Sequence, residues 1–196
     1  MKKTLIIVRH GRKDGDLISQ AHLEEINNSG IPGVNEYVSN CHSPIFLHLG
    51  SSFLRTEQTI LAFKNHLDRE KINIQGLLPA DPRFGNENLF NKFLENPAIK
   101  AEADKTTWFD AYSKRDKNFI AETQLNMSHG VYDLFKKAED DSLTISIGHT
   151  PLIEWLAFAF DSKNNLPRDL KLKELTGIIL TEKDGDRITI SGTIGF

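Results

Sequence analysis

The sequence predicts an α/β protein, a three-layer α/β/α sandwich built on a mainly parallel central sheet with an antiparallel edge. Three observations carry this. Residues 5–8 form a short continuous apolar run, the pattern of a strand buried on both faces, and residues 45–49 and 143–147 are further strand-length segments. Between them lie stretches with helical spacing of apolar residues, and alternating strands and helices make parallel sheets. The chain then closes with strand-like runs at 177–181 and 187–190, joined through Lys183-Asp184-Gly185-Asp186, whose turn chemistry reads as a hairpin.

The elements follow in order. After the first strand, Ser19 sits at an N-cap position before a helix over 20–28, which Gly30-Ile31-Pro32-Gly33 ends. The second strand runs into Gly50-Ser51-Ser52, and Leu54, Ile60, Leu61, Phe63 and Leu67 then recur at helical spacing, with Arg55 in the first turn. Ile72, Ile74, Leu77 and Leu78 mark a third strand, followed by a turn at Asp81-Pro82-Arg83-Phe84-Gly85-Asn86. Residues from about 88 to 118 scatter aromatics among charges and read as an insertion over one end of the core. A helix over 122–138 carries Leu125, Val131, Leu134 and Phe135 on its apolar side. The next strand ends at Gly148-His149-Thr150, and Pro151 opens a helix over 152–160, where its missing N–H costs nothing.

The 196 residues suit a single domain, 1–196, large enough to bury a core without disulfides. A composition 39% hydrophobic and 26% charged is that of a globular chain rather than a disordered one. Lys and Arg total 24 against 27 Asp and Glu, a formal charge of −3, which argues against nucleic-acid partners yet permits a local basic pocket. The lone Cys41 excludes an intrachain disulfide and a multi-thiolate metal site, and reads as a small core residue. The first apolar run stops at Arg9-His10, too short for an export signal, and no later run is long enough to span a bilayer. The expectation is a soluble, cytoplasmic protein without a membrane partner. Nothing in the sequence fixes its oligomeric state.

Three strands end in residues able to do chemistry: Arg9-His10-Gly11, Gly50-Ser51-Ser52 with Arg55 a turn later, and Gly148-His149-Thr150. Ligands of open α/β sheets bind beyond the carboxyl ends of strands. If these strands are neighbours, two imidazoles and two guanidiniums share one crevice. Guanidinium forks match phosphoryl oxygens bidentately, and a neutral imidazole can attack phosphorus. The combination points to an anion site, and best to a phosphoryl group.

Val8-Arg9-His10-Gly11 resembles the Arg-His-Gly signature of the histidine phosphatase superfamily, which includes phosphoglycerate mutase-like enzymes. Ser51-Ser52-Phe53-Leu54-Arg55-Thr56-Glu57-Gln58-Thr59 is similar to its second segment, and Gly148-His149-Thr150-Pro151 to the Gly-His-x-Pro form of its small phosphohistidine phosphatases. The resemblance implies the phosphoglycerate mutase-like fold and a phosphatase that forms phosphohistidine on His10. Arg9 and Arg55 then clamp the phosphoryl oxygens and His149 stabilises the transferring group. Arg12, Lys13, Ser51 and Thr150 are further candidate contacts to phosphate or substrate. It also implies no metal and no cofactor, and a partner that is either a phosphorylated small molecule or a phosphohistidine protein.

Two departures bear on that reading. Where the mutase-like branch continues Arg-His-Gly-Glu-Thr, this chain has Arg12 and Lys13, cations suited either to a solvated loop or to an anionic substrate, and this weakens a mutase assignment. The family's Asp-Pro-Arg-Leu-x-Glu motif becomes Asp81-Pro82-Arg83-Phe84-Gly85-Asn86-Glu87, which moves the acid by one position. Glu87 is the expected proton donor and Asp81 the alternative; if neither serves, activity is confined to good leaving groups or the chain is a catalytically weakened phosphate-binding domain. Glu122-Thr123 reads either as a match to a family Glu-Ser pair or as a helix start. Trp108, Phe109 and Tyr112 form either a lid or a packing cluster. His42 and His48, on one face if the second strand extends that far, form a poor metal pair, and His22, His66 and His129 read as surface or packing residues.

Overall fold

Leu5-Ile6-Ile7-Val8 lies within β1 (Thr4–Arg9), and its side chains divide between two cores. Leu5 and Ile7 join one cluster, Ile6 and Val8 the other, and all four are buried. At about 1.5–3 kcal/mol for each fully buried aliphatic side chain, exposing this one strand would forfeit on the order of 6–12 kcal/mol. The uninterrupted apolar run is therefore the signature of a strand covered on both sides.

In this computed structural model, which describes residues 3–163, 165–183 and 187–195, the chain continues through a small hairpin of β2 (Lys13–Asp14) and β3 (Leu17–Ile18). It then forms α1 (Gln20–Ser29), α2 (Val34–Ser39), β4 (Ile45–His48), α3 (Leu54–Arg69) and β5 (Ile74–Leu78). A 3₁₀ turn, Pro82–Phe84, leads to α4 (Glu87–Leu94), α5 (Pro97–Ala103), α6 (Trp108–Arg115) and α7 (Lys117–Lys137). β6 (Leu143–Gly148), α8 (Leu152–Phe160), β7 (Gly177–Lys183) and β8 (Arg187–Ile194) follow. The expected turn at Asp184-Gly185-Asp186 lies outside the described residues.

The six-stranded sheet has the order β5-β4-β6-β1-β7-β8. β5, β4, β6 and β1 are mutually parallel, while β7 runs antiparallel to β1 and β8 antiparallel to β7. This is the predicted three-layer α/β class with its antiparallel edge. The core on one face is filled from α7, α8 and the 87–115 helices, through Phe93, Tyr112, Leu134 and Trp155 among others. The opposite core takes Ile26 of α1, Val34 of α2 and Ile60, Phe63 and Leu67 of α3.

Several local expectations change. Leu54 is exposed, and the buried face of α3 instead runs through Thr56, Thr59, Ile60, Phe63 and Leu67, because the helix turns its first residue outward. Leu125 is likewise exposed on α7. That helix begins at Lys117, where the Asp116 side chain accepts from Phe119 N at 3.0 Å, so Glu122 lies within the helix rather than at its start. By contrast, α8 has the expected bounds, with Pro151 at its N-cap. Caps also divide the 87–115 stretch: the side chains of Asn86, Asn96 and Thr107 each accept from backbone N–H groups of the helix that follows.

Candidate active site

Sheet register assembles the site. Arg9 of β1 pairs with Gly148 of β6, so His10 and His149 emerge side by side from the same end, with His10 N donating to Gly148 O at 3.1 Å. His48 of β4 pairs with Ser146 of β6, and three residues further on Ser51 stands beside His149. The two imidazole centroids are 5.0 Å apart, and Ser51 Oγ lies 2.6 Å from His149 Nε2. All three side chains are buried.

Hydrogen bonds fix the proton on each ring. His10 Nδ1 is 2.7 Å from Gly11 O, and a carbonyl only accepts, so Nδ1 carries the hydrogen and Nε2 keeps its lone pair. His149 Nδ1 accepts from Arg55 Nε at 3.3 Å, so its Nε2–H donates to Ser51 Oγ. Burial, with the charges of Arg55, Arg9 and Lys13, lowers the His10 pKa to about 4 despite the Gly11 bond. Burial likewise carries His149 well below the usual histidine range, helped by His10, Arg55, Lys13 and Arg9. Both rings are neutral near pH 7.

The cations that repel protons from these rings attract anions. Arg55 is buried, its guanidinium 4.2 Å above the Phe53 ring and 5.6 Å from that of Phe90. Phe53 and Phe90 also meet the His149 ring edge-on, each at 5.1 Å. Arg9 donates from Nη1 to Leu172 O at 2.7 Å and approaches Glu174 through Nη2 at 3.5 Å, while its buried Nε has no partner. Lys13, on the exposed β2 strand, is near enough for its charge to act on both imidazoles. Arg12 is exposed, and its charge joins that of Arg9 in lowering the Glu174 pKa, after a backbone hydrogen bond there.

The two carboxyls weighed as proton donors differ in environment. Asp81 accepts from Arg83 N, Nε and Nη2; burial opposes its ionisation, but the Arg83 hydrogen bonds prevail and hold its pKa low. It is a turn-capping carboxylate tied to arginine, unsuited to donating a proton. Glu87 is exposed in the first turn of α4. The turn leading to it touches the site: Gly85 adopts φ +136°, and a Cβ there would lie 3.0 Å from His149 Cδ2. Ser51 is hydrogen-bonded to His149 and to Thr56 Oγ1, and so stands behind the imidazole. Thr150 lines a cavity shared with Arg9.

His48 is buried under the sheet end, 2.8 Å from Ser146 Oγ, whereas His42 is exposed and precedes the start of β4 at Ile45, so the shared strand face does not extend to it. His66 stacks on Phe63, His22 Nδ1 accepts from Arg12 N at 2.5 Å, and His129 is exposed. Trp108 and Tyr112 pack with Phe93, and Tyr112 also with Phe119 and Trp155, while Phe109 meets Phe158; the aromatic cluster binds α4, α6, α7 and α8 together. Sequence reasoning passed over Phe90, Glu154 and Glu174. Phe90 sits in a segment without clear periodicity. Glu154 is the one acidic residue of an otherwise apolar helix, a signal that was there to find.

No protein-family model matches the chain, and no characterised protein matches it significantly by sequence. Solved structures do match its fold. A phosphoserine phosphatase from Entamoeba histolytica, in complex with 3-phosphoglyceric acid, aligns with a TM-score of 0.59 at 11% identity, over 99% of this chain and 98% of that one. The protein histidine phosphatase SixA, complexed with tungstate, aligns at 0.52 and 12% identity, over 98% and 96%. A phosphoglycerate mutase from Plasmodium falciparum gives 0.50 and 13%, over 98% and 90%. The chain has the histidine phosphatase, or phosphoglycerate mutase-like, fold.

Proposed function

We propose that this protein is a metal-independent phosphatase that hydrolyses phosphomonoesters or phosphohistidine through a covalent intermediate on His10. One observation carries the reading: a buried, neutral imidazole whose Nδ1–H is spent on Gly11 O, leaving Nε2 free as a nucleophile among cations. The Nε2 lone pair attacks phosphorus, and the bond to the leaving group, P–O in a phosphomonoester or P–N in phosphohistidine, breaks with its electron pair remaining on the departing oxygen or nitrogen. Water then attacks the phosphohistidine, the P–N bond breaks, and inorganic phosphate departs.

The other groups fit roles in that sequence. Arg9 Nε and the terminal nitrogens of Arg55 offer donors to the equatorial oxygens, with Lys13 adding charge. His149 is held by Ser51 and Arg55 on opposite ring nitrogens, which leaves the neutral ring no free N–H for phosphoryl oxygens and favours a role in positioning Arg55. Glu87 is the carboxyl left to protonate the leaving group, since Asp81 is committed to Arg83. Arg12, Lys13 and Thr150 are the substrate-facing candidates.

The test is phosphate release from p-nitrophenyl phosphate with EDTA present, in the wild type and in His10→Ala, together with trapping of an acid-labile phosphoenzyme. The expected result is turnover and trapping in the wild type and neither in the variant. Turnover that survives His10→Ala overturns the mechanism. Phosphate binding without turnover on any phosphate ester would instead mark a phosphate-binding domain.

A further inference from the structure

A cavity of about 290 Å³ opens beside the proposed phosphoryl site. Arg9, Glu154 and Trp155 line it, and Trp108, Phe109 and Leu172 contribute apolar surface. Asp104 and Lys171, both exposed, and Thr150 also border it. Arg9 thus belongs to the cavity and to the cation group around His10 at once.

Among the described residues, four buried side-chain polar atoms lack a hydrogen-bond partner, and three of them belong to residues of this one cavity: Arg9 Nε, Glu154 Oε2 and Trp155 Nε1. Buried polar atoms left unpaired cost stability, so their concentration at one place calls for a ligand. Glu154 is 6% exposed, and its other oxygen is used: Oε1 accepts from Leu172 N at 3.0 Å, while Leu172 O accepts from Arg9 Nη1. The Leu172 peptide therefore ties the Glu154 carboxyl to the arginine of the phosphoryl site. Of the three atoms, Arg9 Nε faces the phosphoryl side, Trp155 Nε1 is a donor and Glu154 Oε2 is the acceptor, so the cavity selects a compact group that brings an N–H or O–H donor to Glu154 and leaves an acceptor for Trp155.

We infer that this cavity receives the leaving-group half of the substrate, and that Glu154 Oε2 accepts a hydrogen bond from an ammonium or hydroxyl on it. The substrate class is then a small phosphate ester with a donor at the far end of its leaving group, not a phosphoprotein. This rests on the phosphatase reading above and narrows it.

The experiment compares kcat/KM for 4-(aminomethyl)phenyl, 4-(hydroxymethyl)phenyl and 4-ethylphenyl phosphate, leaving groups of similar shape, with each rate taken relative to the ester's own leaving-group basicity. Wild type should prefer a donor-bearing ester over the ethyl one by roughly tenfold or more. Glu154→Gln keeps the acceptor for Leu172 N and turns the Oε2 position into a donor, so the ammonium-over-ethyl ratio should fall to about one, and the hydroxyl-over-ethyl ratio, which an N–H can partly sustain through the hydroxyl oxygen, should fall less. Ratios are read within each variant, so a general loss of activity does not enter. The wild-type preference between the two donor-bearing esters identifies which donor the cavity takes, and Asp104→Asn, at an exposed position, should weaken the ammonium ester alone if that carboxylate takes part. Equal rates on all three esters in wild type, or donor preferences left unchanged by Glu154→Gln, overturn the inference, as would water alone filling the cavity. Calorimetry with the same three esters on His10→Ala measures the preference without chemistry. Donor-selective binding there, alongside failure of the His10 test on p-nitrophenyl phosphate, would sustain the cavity assignment and defeat the phosphatase reading; the reverse pattern would do the opposite.

Discussion

Ser51 Oγ receives the Nε2–H of His149 at 2.6 Å, and that bond exists because the β4 and β6 registers bring residues 51 and 149 level beyond the sheet edge. With Arg55 Nε on the other ring nitrogen, the imidazole has one tautomer and one orientation.

Ser51→Ala removes the acceptor and leaves a buried N–H unpaired. The expected result is a fall in kcat on aryl phosphates of roughly tenfold, with KM little changed, and a stability loss of about 1–3 kcal/mol. Steady-state kinetics and urea denaturation check both. Unchanged kcat would mean that the tautomer lock has no part in turnover.

Glu87→Gln should act through the leaving group. An alkyl phosphate, whose oxygen needs a proton as it departs, should lose on the order of 10²-fold in kcat/KM, and p-nitrophenyl phosphate far less. Equal losses on the two substrates would remove Glu87 as the acid.

What the sequence made legible was whatever rests on continuous local patterns. β1 shows as an apolar run, whereas β6 is buried throughout despite its Thr and Ser, and the strand-end residues His10, Ser51 and His149 converge because parallel register carries them to one edge. Arg9 is legible beside His10, yet its contacts to Leu172 and Glu174 come from a chain segment more than 160 residues away, which no local pattern encodes. The 87–115 helices are only seven or eight residues long, so two turns give little periodicity. Their boundaries are written instead in Asn86, Asn96 and Thr107, small polar caps hidden in a polar stretch. β2 and β3 have two residues each, below the length at which alternation can be seen.

Gly85 is a second point where a backbone requirement meets the site. Its φ of +136° is a region that side chains rarely adopt, and an added Cβ would press on His149 Cδ2 at 3.0 Å. Gly85→Ala should cost about 1–3 kcal/mol in backbone strain and lower kcat by displacing the imidazole. A variant with wild-type melting temperature and wild-type kcat would show that the turn relaxes freely.

His48 predicts acid sensitivity away from the site. Burial lowers its pKa from 6.5 to about 4, although Asp81 and a backbone bond at Pro79 pull the other way. The unfolded chain therefore binds more protons between those values, so stability falls as pH drops from 6.5 towards 4, by up to about 3 kcal/mol for this group. His48→Gln, which keeps a polar partner for Ser146, should flatten that part of the stability profile in urea titrations at pH 7 and pH 4.5. Equal losses in wild type and variant would refute the assignment to His48.

Glu154 predicts the opposite slope. Burial raises its pKa from 4.5 to about 7, against the hydrogen bonds it accepts and the charge of Arg9. The folded state now holds the extra proton, so the cost of ionising a buried carboxyl grows as pH rises from about 4.5 and is complete above pH 7. At pH 8 that cost is up to about 3 kcal/mol, and Glu154→Gln removes it while keeping the bond to Leu172 N. The variant should therefore gain stability over wild type at pH 8 and gain little at pH 5, where the wild-type carboxyl is already largely protonated. Bound leaving group with a donor should reverse the balance by favouring the carboxylate, so the advantage of the variant at pH 8 should shrink when 4-(aminomethyl)phenol is added. Thermal denaturation at both pH values, with and without that phenol, checks the sign; a variant less stable than wild type at pH 8 would mean that Glu154 is held ionised by groups that outweigh its burial.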